Sequence, residues 1–209
     1  MADRDYDLDR AYQIDGPEDA RRLYGEWAKT YDDNFGAAWG YIAPRKIAEL
    51  YLDEMSPEDQ PVLDIGAGTG LVGEHLKTVT VDGIDITPEM LEIARRKDRY
   101  RSLIEGDLTK PLNIASDSYG GVISSGTFTH GHVGPECLPE LLRITRAGGL
   151  FCCGTIGPVL DGAAFGSVLA RMVAEEEITP VSFVEIEIYD ETHHDHAGDL
   201  GLVMVFRKR

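Results

Sequence analysis

The stretch Val62-Leu63-Asp64-Ile65-Gly66-Ala67-Gly68-Thr69-Gly70 constrains this chain more than any other. Pro61 to Ile65 is a short apolar run of strand character, and the glycines make a tight turn. Leu71, Val72 and Leu76 then predict a short helix. Strand, glycine turn and helix start form a place where backbone N–H groups face a ligand. Glycine suits it because a Cβ would keep the backbone from approaching that ligand closely. The carboxylate of Asp64, two residues before the first glycine, is of no use to a pyrophosphate cradle but suits the cationic end of a ligand. A nicotinamide-type G-x-G-x-x-G turn starting at Gly66 would put its third glycine at position 71, which is Leu71.

Acids recur at informative intervals. Val79 to Ile84 alternates as a strand and ends at Asp85, which lies 15 residues after Gly70. An acid at the end of the second strand suits a ribose diol, because two carboxylate oxygens can accept both hydroxyl protons. The plainer alternative is an Asp that opens the turn before Thr87-Pro88-Glu89, a good helix start. Asp107 follows 22 residues after Asp85, a strand-helix-strand step. On its own Gly106-Asp107 is only a turn signal.

The remaining pattern builds one domain. Residues 1 to about 14 read as an acidic arm. Pro17 opens a helix, and Ala20, Leu23, Tyr24, Trp27, Ala28 and Tyr31 fall on one apolar face. That face either packs on the core or closes over a ligand as a lid. A helix from Pro44 to Asp53 follows. Further strands are expected at Arg101–Glu105, Tyr119–Ser124, Leu150–Thr155, Val181–Tyr189 and Gly201–Phe206. Helices are expected at Pro135–Thr145 and Val159–Glu175. The last connection has no room for a crossover helix, so the final two strands should pair antiparallel. The expected fold is therefore α/β: a Rossmann-like, seven-stranded, mostly parallel sheet with a C-terminal antiparallel strand and helices on both faces. The expected organisation is one domain over 1–209, with 1–43 as arm and helical lid. Ser124, Ser125 and Gly126 close the fourth strand, at the edge where open α/β sheets bind ligands.

The segment Tyr24-Gly25-Glu26-Trp27-Ala28-Lys29-Thr30-Tyr31-Asp32 and the run Asp64-x-Gly66-x-Gly68-x-Gly70 together resemble class I S-adenosylmethionine-dependent methyltransferases. With Gly40-Tyr41-Ile42-Ala43-Pro44, the first segment looks most like the Williams–Beuren-region methyltransferase-like proteins and their bacterial relatives. The resemblance implies S-adenosylmethionine as cofactor. It implies that the turn at Gly66, Ala67, Gly68 and Gly70 holds the cofactor's amino-acid end, with Asp64 orienting the ammonium. Asp85 would take the ribose, Ile86 and Met90 would flank the adenine, and Asp107 with the backbone of Leu108 would bind its edge. Tyr24, Trp27 and Tyr31 would lie over the cofactor. Arg146-Ala147-Gly148-Gly149 is similar to the family's K/R-P-G-G turn, with Ala147 in place of the proline.

Charge narrows the partners. A net charge of −17 repels nucleic-acid phosphates and anionic membranes, which leaves a small-molecule acceptor. The cysteines, Cys137 and the adjacent pair Cys152 and Cys153, have no metal or disulfide spacing, and reduced cytosolic thiols are expected. No signal-peptide pattern and no membrane span is expected. Thr192-His193-His194-Asp195-His196 invites a metal, but adjacent histidines rarely aim both rings at one ion, and no metal is expected. His130, beyond the fourth strand, is the candidate general base, although methyl transfer from a sulfonium needs alignment and desolvation above all. The rival readings are a non-catalytic cofactor-binding protein of the same fold and a nicotinamide-dependent oxidoreductase.

Overall fold

The computed structural model describes residues 14, 16–37, 39–129, 133–190 and 198–209. Seven strands form one sheet: β1 Val62–Ile65, β2 Val81–Asp85, β3 Ser102–Glu105, β4 Tyr119–Phe128, β5 Thr145–Thr155, β6 Ser182–Glu187 and β7 Leu200–Arg207. Their spatial order is β3-β2-β1-β4-β5-β7-β6. The pairs from β3 through β5 are parallel, while β7 is antiparallel to both β5 and β6. Only β7 runs against the rest, as the short β6–β7 connection requires.

The described α-helices are α1 Pro17–Trp27, α2 Ala43–Glu54, α3 Pro88–Arg96, α4 Leu138–Ile144, α5 Gly157–Gly162 and α6 Phe165–Ala174. Central strands buried on both faces read as continuous apolar runs. β1 is buried at all four positions: Leu63 and Ile65 join the core with Phe128, Leu141 and Phe165, and Val62 joins the opposite core with Ile47, Tyr51 and Leu76. Each such side chain contributes roughly 1.5–3 kcal/mol by burial. Alternation on β5 divides Cys152 and Cys153 between those two cores, and all three cysteines are buried and free.

Several elements depart from expectation. The helix after the glycine turn is only a 3₁₀ turn, Gly73–His75. The Tyr100 ring occupies the space a Cβ on Gly73 would need, so the segment is shaped by a long-range contact rather than by helix propensity. The N-terminal helix stops at Trp27 instead of running through Tyr31. The Thr30 N–H turns back to the Trp27 carbonyl at 3.0 Å, and a π-helical stretch, Asp32–Ala37, follows. The helix expected over 159–175 is two helices, broken where Ala164 takes a left-handed φ of 61° after Gly162. β4 also runs on to Phe128, past a register shift between Ser124 and Phe128.

Candidate cofactor and acceptor site

The glycine turn leaves β1 at its C-terminal end. Gly66 has φ 65°, and a Cβ there would lie 2.1 Å from Thr127 Oγ1, so only glycine fits. Thr127 and Ser124 both donate to the Ile65 carbonyl, at 2.7 and 3.1 Å, which fixes β4 beneath the turn. Ala67 N–H donates to the Ile84 carbonyl at 3.0 Å, tying the turn to β2.

Asp85 stands at the end of β2 against that turn. Its Oδ2 accepts from Gly68 N–H and its Oδ1 from Thr87 N–H, each at 2.8 Å. Burial pushes its pKa up, and these backbone donors work against that. The Thr87 hydroxyl and the Ile86 N–H add to the donors around this carboxylate.

Asp64 lies behind the turn and is fully buried. Tyr100 Oη donates to its Oδ2 at 2.6 Å, and Gly73 N–H donates to the same Tyr100 oxygen at 3.2 Å. Its Oδ1 has no partner. Burial raises its pKa to about 7; the Tyr100 hydrogen bond opposes this and the neighbouring Asp85 charge adds to it.

A cavity of about 520 Å³ opens over the C-terminal ends of the strands. Of the sequence-derived residues, Gly66, Ala67 and Gly68 line it on one side, Asp85, Ile86 and Met90 on the next, and Asp107 with Leu108 beyond. Burial would raise the Asp107 pKa. The Lys110 ammonium at 2.8 Å and two donors from Thr109, at 2.6 and 2.9 Å, hold it lower than usual. Ser125 and Gly126 line the cavity at the end of β4. Asp64, Gly70 and Ser124 are not among the lining residues; they brace the turn from behind. His130 and the run His193-His194-Asp195-His196 lie outside the described residues. Among the described residues no cluster of His, Cys, Asp or Glu could hold a metal.

Tyr24, Trp27 and Tyr31 roof the cavity. Tyr24 meets Trp27 edge-on at 5.8 Å and Tyr31 at 6.1 Å between ring centroids. Tyr41 and Tyr189 continue the roof at 5.9 Å, and the Tyr41 and Ser125 hydroxyls share a hydrogen bond of 3.0 Å. Burial, with the nearby Tyr24, Tyr41, Tyr189 and Asp32 adding to it, pushes the Tyr31 pKa well up.

Several participants were invisible to sequence reasoning. Thr69 Oγ1 donates to Asp32 Oδ1 at 2.5 Å, and Lys97 Nζ meets Asp32 Oδ2 at 2.6 Å and also pairs with Glu74. Lys97 stands at the C-terminus of its helix, where a cation is ordinary, so its position alone does not announce these partners. Tyr100 carried no signal at all, because its partners Asp64 and Gly73 are distant in sequence.

A mostly parallel sheet with one reversed strand is the fold of class I methyltransferases, and a glycine turn after β1 and an acid closing β2 stand at its cavity. Residues 63–153 match the family profile described as "Methyltransferase domain". Methyltransferase-like protein 27 of Homo sapiens is 32% identical over 147 residues, covering 66% of this chain and 59% of that protein. An 18S rRNA (guanine-N(7))-methyltransferase of Mus musculus is 39% identical over 72 residues, covering 32% of this chain and 26% of that protein. A TehB-like S-adenosylmethionine-dependent methyltransferase from Corynebacterium glutamicum has the same fold, with TM-score 0.62 and 22% identity over 90% of this chain and 100% of that one. The chain is thus similar to the class I S-adenosylmethionine-dependent methyltransferases in fold, and over residues 63–153 in sequence profile. It spans less than two thirds of the length of either curated relative, 59% and 26%. No described helix is long and apolar enough to cross a membrane.

Proposed function

We propose that this protein transfers the methyl group of S-adenosylmethionine to a small-molecule acceptor, with the cofactor seated between the glycine turn, Asp85 and the aromatic roof. The observation that carries the reading is the Asp85 carboxylate, which lines the cavity at the end of β2 and is held against the glycine turn by backbone donors. The turn fits the cofactor's amino-acid end: Gly66 tolerates no Cβ, and the orphaned Oδ1 of Asp64 lies behind it, where a cation above the turn would offset its burial. Ile86 and Met90 would sandwich the adenine, and Asp107 and Leu108 would meet its edge.

The bound cofactor supplies an electrophilic methyl group on a sulfonium. What remains for the chain is alignment and exclusion of water. Tyr24, Trp27 and Tyr31 supply a lid of apolar area with few rotatable bonds. His130 remains the candidate for removing a proton from an O–H or N–H acceptor. The net charge of −17 supports a small acceptor over a nucleic acid, whose phosphates it would repel. We read the whole chain as one catalytic unit with an N-terminal lid.

A titration distinguishes the rivals. S-adenosylmethionine and its demethylated product should raise the thermal midpoint, by about 2.7 kcal/mol of stability at a hundredfold excess over Kd. NAD and NADP should not. A rise with NAD alone would leave the oxidoreductase reading standing. Cofactor binding without methyl transfer to any member of a metabolite extract would favour the non-catalytic one.

A further inference from the structure

Tyr100 stands in the loop between α3 and β3, outside the residues that line the cavity, yet it meets the glycine turn from behind at several points. A Cβ on Gly70, Gly73 or Gly83 would lie 3.0, 2.6 or 3.1 Å from its ring, so these glycines leave it the space it fills. Its hydroxyl donates to Asp64 Oδ2 at 2.6 Å and accepts from Gly73 N–H at 3.2 Å. Asp64 Oδ1 is left without a partner. Arg99, its neighbour in sequence, donates to the Gly73 and Leu76 carbonyls at 3.1 and 2.7 Å. Arg99 and Tyr100 together clamp the segment that leaves the turn, and the phenol ends on the acid behind it.

We infer that Tyr100 is a positioning residue for the cofactor: its hydroxyl fixes Asp64 and favours its charged form, and so sets how tightly the cationic end of the cofactor is held, without touching it. The inference rests on the cofactor seat proposed above. Burial favours a neutral carboxyl, and a donated hydrogen bond favours the carboxylate. Between them the Asp64 pKa stands at about 7; without the phenol, burial and the Asp85 charge on β2 would be unopposed. Among the described residues no lysine or arginine pairs with Asp64, so the hydroxyl is what supports its charge. The remaining titratable groups acting on the pair are Cys153 on β5, whose thiol burial pushes well up, and Glu74, which is held by Lys97. A buried carboxylate with an oxygen to spare is strongly stabilised by a nearby cation, and a neutral carboxyl is not.

Calorimetry of S-adenosylhomocysteine binding to the full chain, in steps from about pH 6 to 8.5, compares the parent with Tyr100→Phe and Asp64→Asn. In the parent, affinity should rise as Asp64 ionises. Tyr100→Phe keeps the ring and loses the donor. Its rise should move up by about one pH unit, which weakens binding about fivefold at pH 7 and less than about twofold at pH 8.5. Asp64→Asn should show no such rise. Infrared titration of the Asp64 carboxyl in the ligand-free protein, assigned by its loss in Asp64→Asn, should move by the same amount. Gly73→Ala, whose methyl would lie 2.6 Å from the ring, displaces the phenol with Tyr100 still present and should shift both readouts in the same direction. An unchanged profile in Tyr100→Phe, a loss of equal size at every pH, or an unmoved Asp64 titration would overturn the inference. If S-adenosylhomocysteine fails to bind the parent, the cofactor reading falls and takes the affinity claim with it, while the infrared titration still judges whether Tyr100 governs the charge on Asp64.

Discussion

Thr69 donates its hydroxyl to the Asp32 carboxylate across 2.5 Å, joining the tip of the glycine turn to the segment that follows the aromatic helix. Lys97, at the end of α3, holds the other oxygen of the same carboxylate at 2.6 Å. The roof is thus tied to the floor through one acid. Hydrogen bonds to charged groups contribute roughly 1.5–3 kcal/mol when partly buried. Asp32→Ala should accordingly speed amide exchange across residues 17–37 by about tenfold or more while leaving the sheet protected. Equal exchange in parent and variant would mean that aromatic packing alone holds the roof.

Cofactor binding should quieten the same region. If the helix from Pro17 to Trp27 serves as a lid, exchange across it slows when S-adenosylhomocysteine is added. Amides equally protected with and without ligand would make it ordinary core.

Asp85→Ala should weaken the cofactor by roughly 10²–10⁴, the equivalent of two hydrogen bonds to a charged group. Asp85→Asn should fall between parent and Ala, since an amide accepts at one oxygen and has no charge. Calorimetric titration of the three proteins decides it, and unchanged affinity in Asp85→Ala would reduce Asp85 to a turn residue.

Asp64 makes stability depend on pH. Its pKa is about 7 in the fold against an ordinary value of 3.8, so from about pH 4 to 7 the folded protein keeps a proton that the unfolded chain releases. Stability therefore falls as pH rises through that window, by up to about 4 kcal/mol for a shift of that size. Asp64→Asn cannot ionise and should flatten that part of the curve. Thermal midpoints of the ligand-free proteins, measured at intervals between pH 4 and 8, test it; parallel curves would show that Asp64 carries no such proton.

His130→Ala should lower turnover by roughly 10²–10⁴ if the imidazole is the general base. Unchanged turnover would assign rate enhancement to positioning alone.

Much of this architecture is written locally. β1 and its glycine turn are spelled in one continuous run, with Asp85 15 residues after Gly70, and the short β6–β7 connection dictates the antiparallel pairing of those two strands. The split of Cys152 and Cys153 between two cores follows from strand alternation alone. What stayed hidden depends on partners far apart in the chain. Tyr100 seats itself against Gly73 and caps Asp64, and this replaces the expected helix with a 3₁₀ turn. Asp32 and Lys97 are 65 positions apart, and no periodicity links them. The break at Ala164 needs a left-handed residue that composition does not announce.

The segment at Gly40 to Ala43 is stitched to the segment at Ile188 to Asp190. Tyr41 bridges Tyr189, Ile42 and Ala43 N–H groups reach the Ile188 carbonyl, and Asp190 N–H reaches the Gly40 carbonyl. A nascent chain can therefore assemble strands β1 to β5, with the glycine turn and Asp85 in place, and still have an open cleft. Only when residues near 190 emerge does the early segment acquire the seam that anchors Tyr41 above Ser125. Completion of the roof is thus a late event in synthesis: a ribosome-bound intermediate halted before β6 would hold the Asp32–Thr69 tie but lack the Tyr41–Tyr189 seam.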